Sequence, residues 1–190
     1  MKKFLSIVMI ISLLGVLAAC GDKSKEANKP TASVAPSAPS EDKKDKKDIW
    51  TYYENAKWND DFKGLKTEIE KVVVSDKAPQ KGDSSKMDAS AVGVKFKLQN
   101  TTDGKFTAYP DQARLVTSTG EQIENPEMLL SDHIGGEIDK GVEKEGNVFW
   151  YLKKSKASDI KWIKLEWDAR VGTDVGSKEN KKYEVELKLK

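Results

Sequence analysis

Cysteine and histidine are nearly missing from this chain: in 190 residues Cys20 is the only cysteine and His133 the only histidine. A disulfide framework is thereby excluded, so an exported domain has to hold itself together by its core. Zinc sites assembled from several Cys and His are excluded with it. A Ser-His-Asp triad would have to use His133, and no Gly-x-Ser-x-Gly elbow is present to seat a serine nucleophile. No glycine-rich phosphate loop occurs, and Gly135, Gly136 and Gly141 read as turn residues in a mobile connection. Charge of one sign is lacking as well. Setting Lys2 and Lys3 aside from the 33 basic residues leaves 31 against 31 acidic ones. A neutral chain offers no electrostatic case for binding nucleic acid.

What is present begins at the N-terminus. Lys2 and Lys3 precede an almost unbroken apolar run from Phe4 to Val16, and small residues lead to Cys20. This is the layout of a secretory signal peptide over residues 1–19, and the run falls short of the ~20 residues of a comfortable transmembrane helix. The ending Leu17-Ala18-Ala19-Cys20-Gly21 resembles the lipobox of bacterial lipoproteins. That resemblance implies diacylglycerol on the Cys20 sulfur, cleavage before it, and a chain held on the extracellular face of the cell membrane. Burial contributes ~0.8 kcal/mol per methylene, so two acyl chains anchor stably where one is marginal. A thioether is also no nucleophile, which removes the one candidate for thiolate catalysis.

Residues 20–48 then carry half of the prolines (Pro30, Pro36, Pro39) and one large aliphatic residue, Val34, among Lys, Glu, Asp, Ser and Ala. Such a segment cannot bury enough apolar area to offset its ordering entropy and reads as a disordered tether. Roughly 27 residues of random coil span about 30 Å. The run Glu41 to Asp48 has interspersed signs that cancel, as suits a solvated spacer.

From Ile49 to Lys190 the apolar residues recur mostly at period two. Val92, Val94, Phe96 and Leu98 alternate with Gly93, Lys95, Lys97 and Gln99, and the turn residues 100–104 follow. Ala113 and Leu115 lead to Ser118-Thr119-Gly120-Glu121, a hairpin signal, with Ile123 returning. Val148 to Leu152, Ile160 to Trp167 and Tyr183 to Leu189 supply further strands. Residues 59–74 read two ways. Phe62, Leu65, Ile69 and Val72 fall at helical spacing, yet Gly64 and the β-branched residues favour a strand from about Leu65 to Val74. Between Trp162 and Ile163 the alternation slips, which a bulge explains, or Trp162 caps an edge as an exposed aromatic. These patterns predict an all-β fold, an antiparallel Ig-like β-sandwich of about seven strands over residues 49–190. Most of its five tryptophans are expected in the core or at sheet edges.

The stretch Val92 to Thr102, followed by Tyr109-Pro110 and Gln112 to Val116, resembles the telokin-like, immunoglobulin-fold extracellular domains of Gram-positive lipoproteins. The segment Gly141 to Tyr151 is similar to the glycine-bounded, charged run into an apolar strand seen in that family. The resemblance covers about Leu65 to Trp167. It implies a sandwich on an anchored protein, with no catalytic set and no assigned function to carry over.

Candidate chemistry is sparse. Met128, Asp132 and His133 suggest a metal site only weakly without a second histidine. The carboxylates Asp60, Asp61, Glu137, Asp139, Glu143 and Glu145 lack calcium-loop spacing and read as solvated charge. Asn100-Thr101-Thr102 matches a glycosylation acceptor and reads as a turn. The connection from Ile123 to Glu145 is the most informative surface region, because Met128-Leu129-Leu130 is an apolar run in a polar segment. It predicts either a plug in the open end of the sandwich, the favoured reading, or a binding face formed with the aromatics Tyr109 and Trp162. The expectation is a non-enzymatic binding module without cofactors, anchored to the membrane through Cys20 and facing an envelope protein or cell-wall glycan. A small-ligand or metal carrier is the alternative.

Overall fold

A computed structural model describes residues 48–173 and 177–190. The signal peptide, Cys20 and the tether up to residue 47 lie outside the described residues. Strands are numbered in chain order, and among the described residues there are eleven, with no α-helix.

The turn at Lys63-Gly64 sets the first sheet. Both residues have positive φ, 54° and 94°, the two-residue geometry whose twist matches that of the strands it joins. It connects β2 (Trp58–Phe62) to β3 (Leu65–Ala78), and the short β1 (Thr51–Tyr53) pairs further along the same side of β3. Residues 65–74 are therefore strand, which runs on to Ala78. The helix-like spacing has a definite cause. Leu65, Thr67 and Ile69 point inward, the register shifts between Ile69 and Lys71, and Val72 and Val74 then point inward. One extra residue at a bulge turns a step of two into a step of three, which imitates a helical repeat.

β3 pairs with β4 (Ala89–Asn100), and β4 with β9 (Glu143–Tyr151), which completes the first sheet. In the second sheet β10 (Trp162–Val171) has the edge strand β11 (Asn180–Lys188) on one side. On its other side lie β6 (Arg114–Thr117) and β5 (Phe106–Ala108), continued by β7 (Gln122–Ile123) and β8 (Gly136–Ile138). Every pairing is antiparallel. The molecule is an all-β sandwich of two antiparallel sheets. The excess over about seven strands comes from β1, β5, β7 and β8, each only two or three residues long. Segments that short cannot display an alternating pattern.

The inner faces meet in one core. Trp150 is fully buried, and its indole N–H donates to the Ala113 carbonyl at 2.9 Å, joining the two sheets. Trp167 stacks on its cross-strand partner Tyr183 at 4.6 Å, and Trp58 and Phe96 meet that pair edge-on. Trp162 is half-buried and does not cap an edge. It opens β10, a strand with neighbours on both sides whose ladder to β11 runs without a register shift. The slip in alternation arises because Ile160, buried, belongs to the connection before the strand.

Asn100 closes β4 from the inside rather than forming a surface turn. Its amide donates to the carbonyls of Gly104 and Ile138, and its oxygen accepts from the backbone and hydroxyl of Thr102.

Candidate functional site

The outer face of the first sheet divides into two halves of opposite character. Toward one end, Lys95 bridges Glu70 at 2.7 Å and Glu145 at 2.5 Å, and Lys97 meets Glu143 at 3.1 Å. Glu137 and Asp139 pair with Lys105 elsewhere on the surface. Asp60 accepts from Lys181 and the Tyr183 hydroxyl, and Asp61 from the backbone N–H of Gly64. Each carboxylate that the sequence offered for calcium or acid chemistry is therefore engaged by protein groups. Among the described residues no three His, Cys, Asp or Glu converge on a common point.

The other half is apolar. Tyr52, Val73, Gly93 and Phe149 stand in register across β1, β3, β4 and β9. Gly93 makes room for its neighbours: a Cβ there would lie 2.6 Å from the Phe149 ring and 2.8 Å from Val73. With Phe149 laid over that position, Trp50 packs against it at 5.7 Å. A groove of about 250 Å³ results, lined by Ala78, Ala91, Phe149 and Tyr151 of the sheet and by Ile49, Trp50, Pro79 and Leu130 beside it. Two bonds brace it. The Ser75 hydroxyl donates to the Ile49 carbonyl at 2.6 Å, and the Tyr151 hydroxyl to the Pro79 carbonyl at 2.6 Å.

Leu130 reaches the groove because its loop is tied along β9. On its far side from β4, β9 has no strand partner among the described residues, and an open edge of this kind invites pairing with other chains. The connection after β7 covers it. The N–H of Glu127 donates to the Phe149 carbonyl at 2.7 Å, and the N–H of Asp132 to the Asn147 carbonyl at 2.9 Å. In return, the Ser131 hydroxyl accepts from the Phe149 N–H and the Asp132 carboxylate from the Asn147 N–H. Close approach requires Gly146, where a Cβ would meet Asp132 and Ile134 at 2.6 Å.

The turn at 128–130 is thus held at both ends, and its side chains point to solvent. Leu129 is 89% exposed, Leu130 51% and Met128 39%. They do not plug the sandwich, which corrects the favoured expectation; Ile123, Pro126, Ile134 and Ile138 are the buried apolar residues between Ile123 and Glu145. Nor do Tyr109 and Trp162 join them. Both are half-buried and belong to the second sheet, Tyr109 beside Arg170 and Asp168, Trp162 at the opposite end of β10. Six strand steps lead from Trp162 to Asp168, about 20 Å. The aromatics that line the groove with Leu130, Trp50 and Phe149, were invisible as a pair because 98 positions separate them in the chain. His133 is exposed beside this turn.

The nearest approach to catalytic electrostatics is structural. Glu166 is buried on the second sheet under Arg114, Lys164 and Lys182. The hydrogen bond from Arg114 outweighs burial and, with Lys164, brings its carboxyl down to about 2. Burial raises the Asp76 carboxyl, but donation from Ser90, Ser158 and the Ala157 and Ser158 backbone prevails and brings it to about 2. Glu121, in the same way, is buried yet lowered by the N–H groups of residues 153–155. These are anions locked to the framework by charge-assisted hydrogen bonds.

No protein-family profile matches the chain, and no curated protein matches it in sequence. Among solved structures it is similar to a functionally unknown protein from Listeria monocytogenes EGD-e. The identity is 11% and the TM-score 0.50, over 74% of this chain and 86% of that one. A conserved hypothetical protein from Bacillus anthracis matches at 14% identity and a TM-score of 0.45, over 76% and 99% of the two chains. The first likeness concerns the fold alone.

Proposed function

We propose that this protein is a non-enzymatic, lipid-anchored binding module of Ig-like type on the extracellular face of the cell membrane. In this reading the recognition surface is the apolar groove of the first sheet with its rim of Met128, Leu129 and Leu130. The observation that carries it is the pairing of a rigidly tied backbone with exposed leucines. Contiguous exposed apolar surface on a soluble domain marks an interaction site, and a turn fixed by four hydrogen bonds to β9 presents it with little ordering cost on binding. The lipobox-like Cys20 supplies the anchor in this reading, and the envelope supplies the partner.

The experiment is crosslinking in intact cells with the anchored protein, a Cys20→Ser secreted form, and a Leu129→Ser/Leu130→Ser form. A binding module of this kind gives a defined adduct with the first, loses it with the third, and keeps the same melting temperature in all three. Adducts unaffected by the double substitution place recognition elsewhere. A second reading, a carrier of a small apolar ligand, is favoured by the groove's nearly wholly apolar lining. It requires that such a ligand raise the melting temperature of the isolated protein in a concentration-dependent way.

A further inference from the structure

We propose that the surface which this groove and its rim engage is the lipid bilayer, with Leu129 and Leu130 inserted at the interface and Trp50 and Tyr52 at headgroup depth. The inference rests on the reading of the groove as a binding surface and names what it binds.

Three observations favour a bilayer over a protein. First, the apolar residues form a projection as well as a hollow. Leu129 is 89% exposed at the tip of a turn whose ends are fixed to β9, a shape that penetrates a fluid interface without needing a complementary pocket. Second, the chain enters the domain at this place. Ile49 and Trp50 line the groove, and Ile49 is pinned to β3 by Ser75. The chain that leads to Cys20 therefore departs from the face that would lie on the membrane. Third, the charges flanking the tip are already satisfied. Glu127 is paired with Lys81 at 2.7 Å, and Asp132 is bonded to the Asn147 backbone. An apolar tip whose flanking acids are engaged by protein groups, with aromatic neighbours, suits the interface, where tryptophan and tyrosine are favoured.

The anchor makes weak docking sufficient. In that reading, attachment through Cys20 holds the domain at a local concentration in the millimolar range relative to its own membrane. Docking of this kind fixes the orientation of the domain and turns the second sheet outward.

The test uses the chain from residue 20 onward with Cys20→Ser, which carries no lipid and no cysteine. Leu129→Cys in that background takes a single environment-sensitive fluorophore at the tip; Glu186→Cys on β11 takes the same fluorophore as control. Vesicles of phosphatidylcholine alone, and with phosphatidylglycerol, are titrated in low and high salt. The expected result is a blue shift at position 129 and none at 186, with similar partitioning into both vesicle types. Leu130→Ser should weaken partitioning about tenfold. A folded protein whose label at 129 is unmoved by vesicles overturns the inference. So does a shift that depends on protein concentration without lipid, which would assign the face to a second copy of the chain. If vesicles fail while the crosslinked partner of the anchored form persists, the bilayer is wrong and the binding-module reading stands. If both fail, that reading falls as well.

Discussion

Asp76 shows how one side chain can hold two distant segments together. Its carboxylate accepts from Ser90 of β4 at 2.6 Å and from the backbone N–H groups of Ala157 and Ser158 at 2.7 and 3.1 Å. It thereby fixes the turn that precedes β10. With a folded-state value of about 2 against 3.8 for the free group, its contribution is complete above pH 4 and is lost as the pH falls toward 2. Asp76→Asn should therefore cost about 1–2 kcal/mol at pH 7, and the difference from wild type should shrink steadily below pH 4. Urea denaturation at pH 7, 4 and 3 reads this directly. Glu166 moves in the same direction, so the wild-type protein itself should lose stability through this acid window.

Elements are decided by a few backbone positions. At the β2–β3 turn, Gly64 has φ of 94° and a Cβ there would strike Thr102 at 2.3 Å. Gly64→Ala should cost more than the ~1 kcal/mol of the conformational effect alone. Lys63→Asn, which tolerates positive φ better, should raise stability by a few tenths of a kcal/mol; thermal denaturation of the pair separates strain from contact. The cover on β9 depends in the same way on Gly146. Gly146→Ala should push residues 131–134 outward at a cost of about 1–3 kcal/mol. Hydrogen exchange at the amides of Asn147 and Phe149 should then accelerate beyond the global effect, because these two donate to the displaced side chains. At this scale the sequence was readable where side chains alternate over many residues, as in β4 and β11. Where an inserted residue changed the period, as at Glu70 in β3, a helical spacing competed with the strand that the β-branched residues favoured and the structure shows; strands of two or three residues left no pattern.

For the whole molecule, the outer face of the first sheet divides into an ion-paired half and an apolar half, and within the apolar half the exposed rim and the packed groove differ in what they contribute to stability. Leu129 and Leu130 touch little of the core, so Leu129→Ser/Leu130→Ser should leave the melting temperature within about 1–2 °C of wild type. Phe149→Ala, by contrast, removes a ring that packs over Gly93 and against Trp50. It should lower stability by about 2–4 kcal/mol and abolish groove-dependent binding together. Calorimetry beside the binding measurement distinguishes the two variants.

The alternation of Val92 to Leu98 and of Tyr183 to Leu189, the turn at Ser118 to Glu121, and the scarcity of cysteine and histidine were sufficient by themselves for an all-β chain that relies on its core. Those features are local, and side chains that alternate along a strand separate inside from outside before any partner strand is known. The groove was not determined at that level. Its lining comes from residues near 50, 79, 91, 130 and 150, which only the pairing of β1, β3, β4 and β9 brings together. Whether Met128 to Leu130 fill the core or face solvent was likewise a tertiary matter. Their apolar character is the same in both cases, and the hydrogen bonds that tie their loop to the edge of β9 decided it.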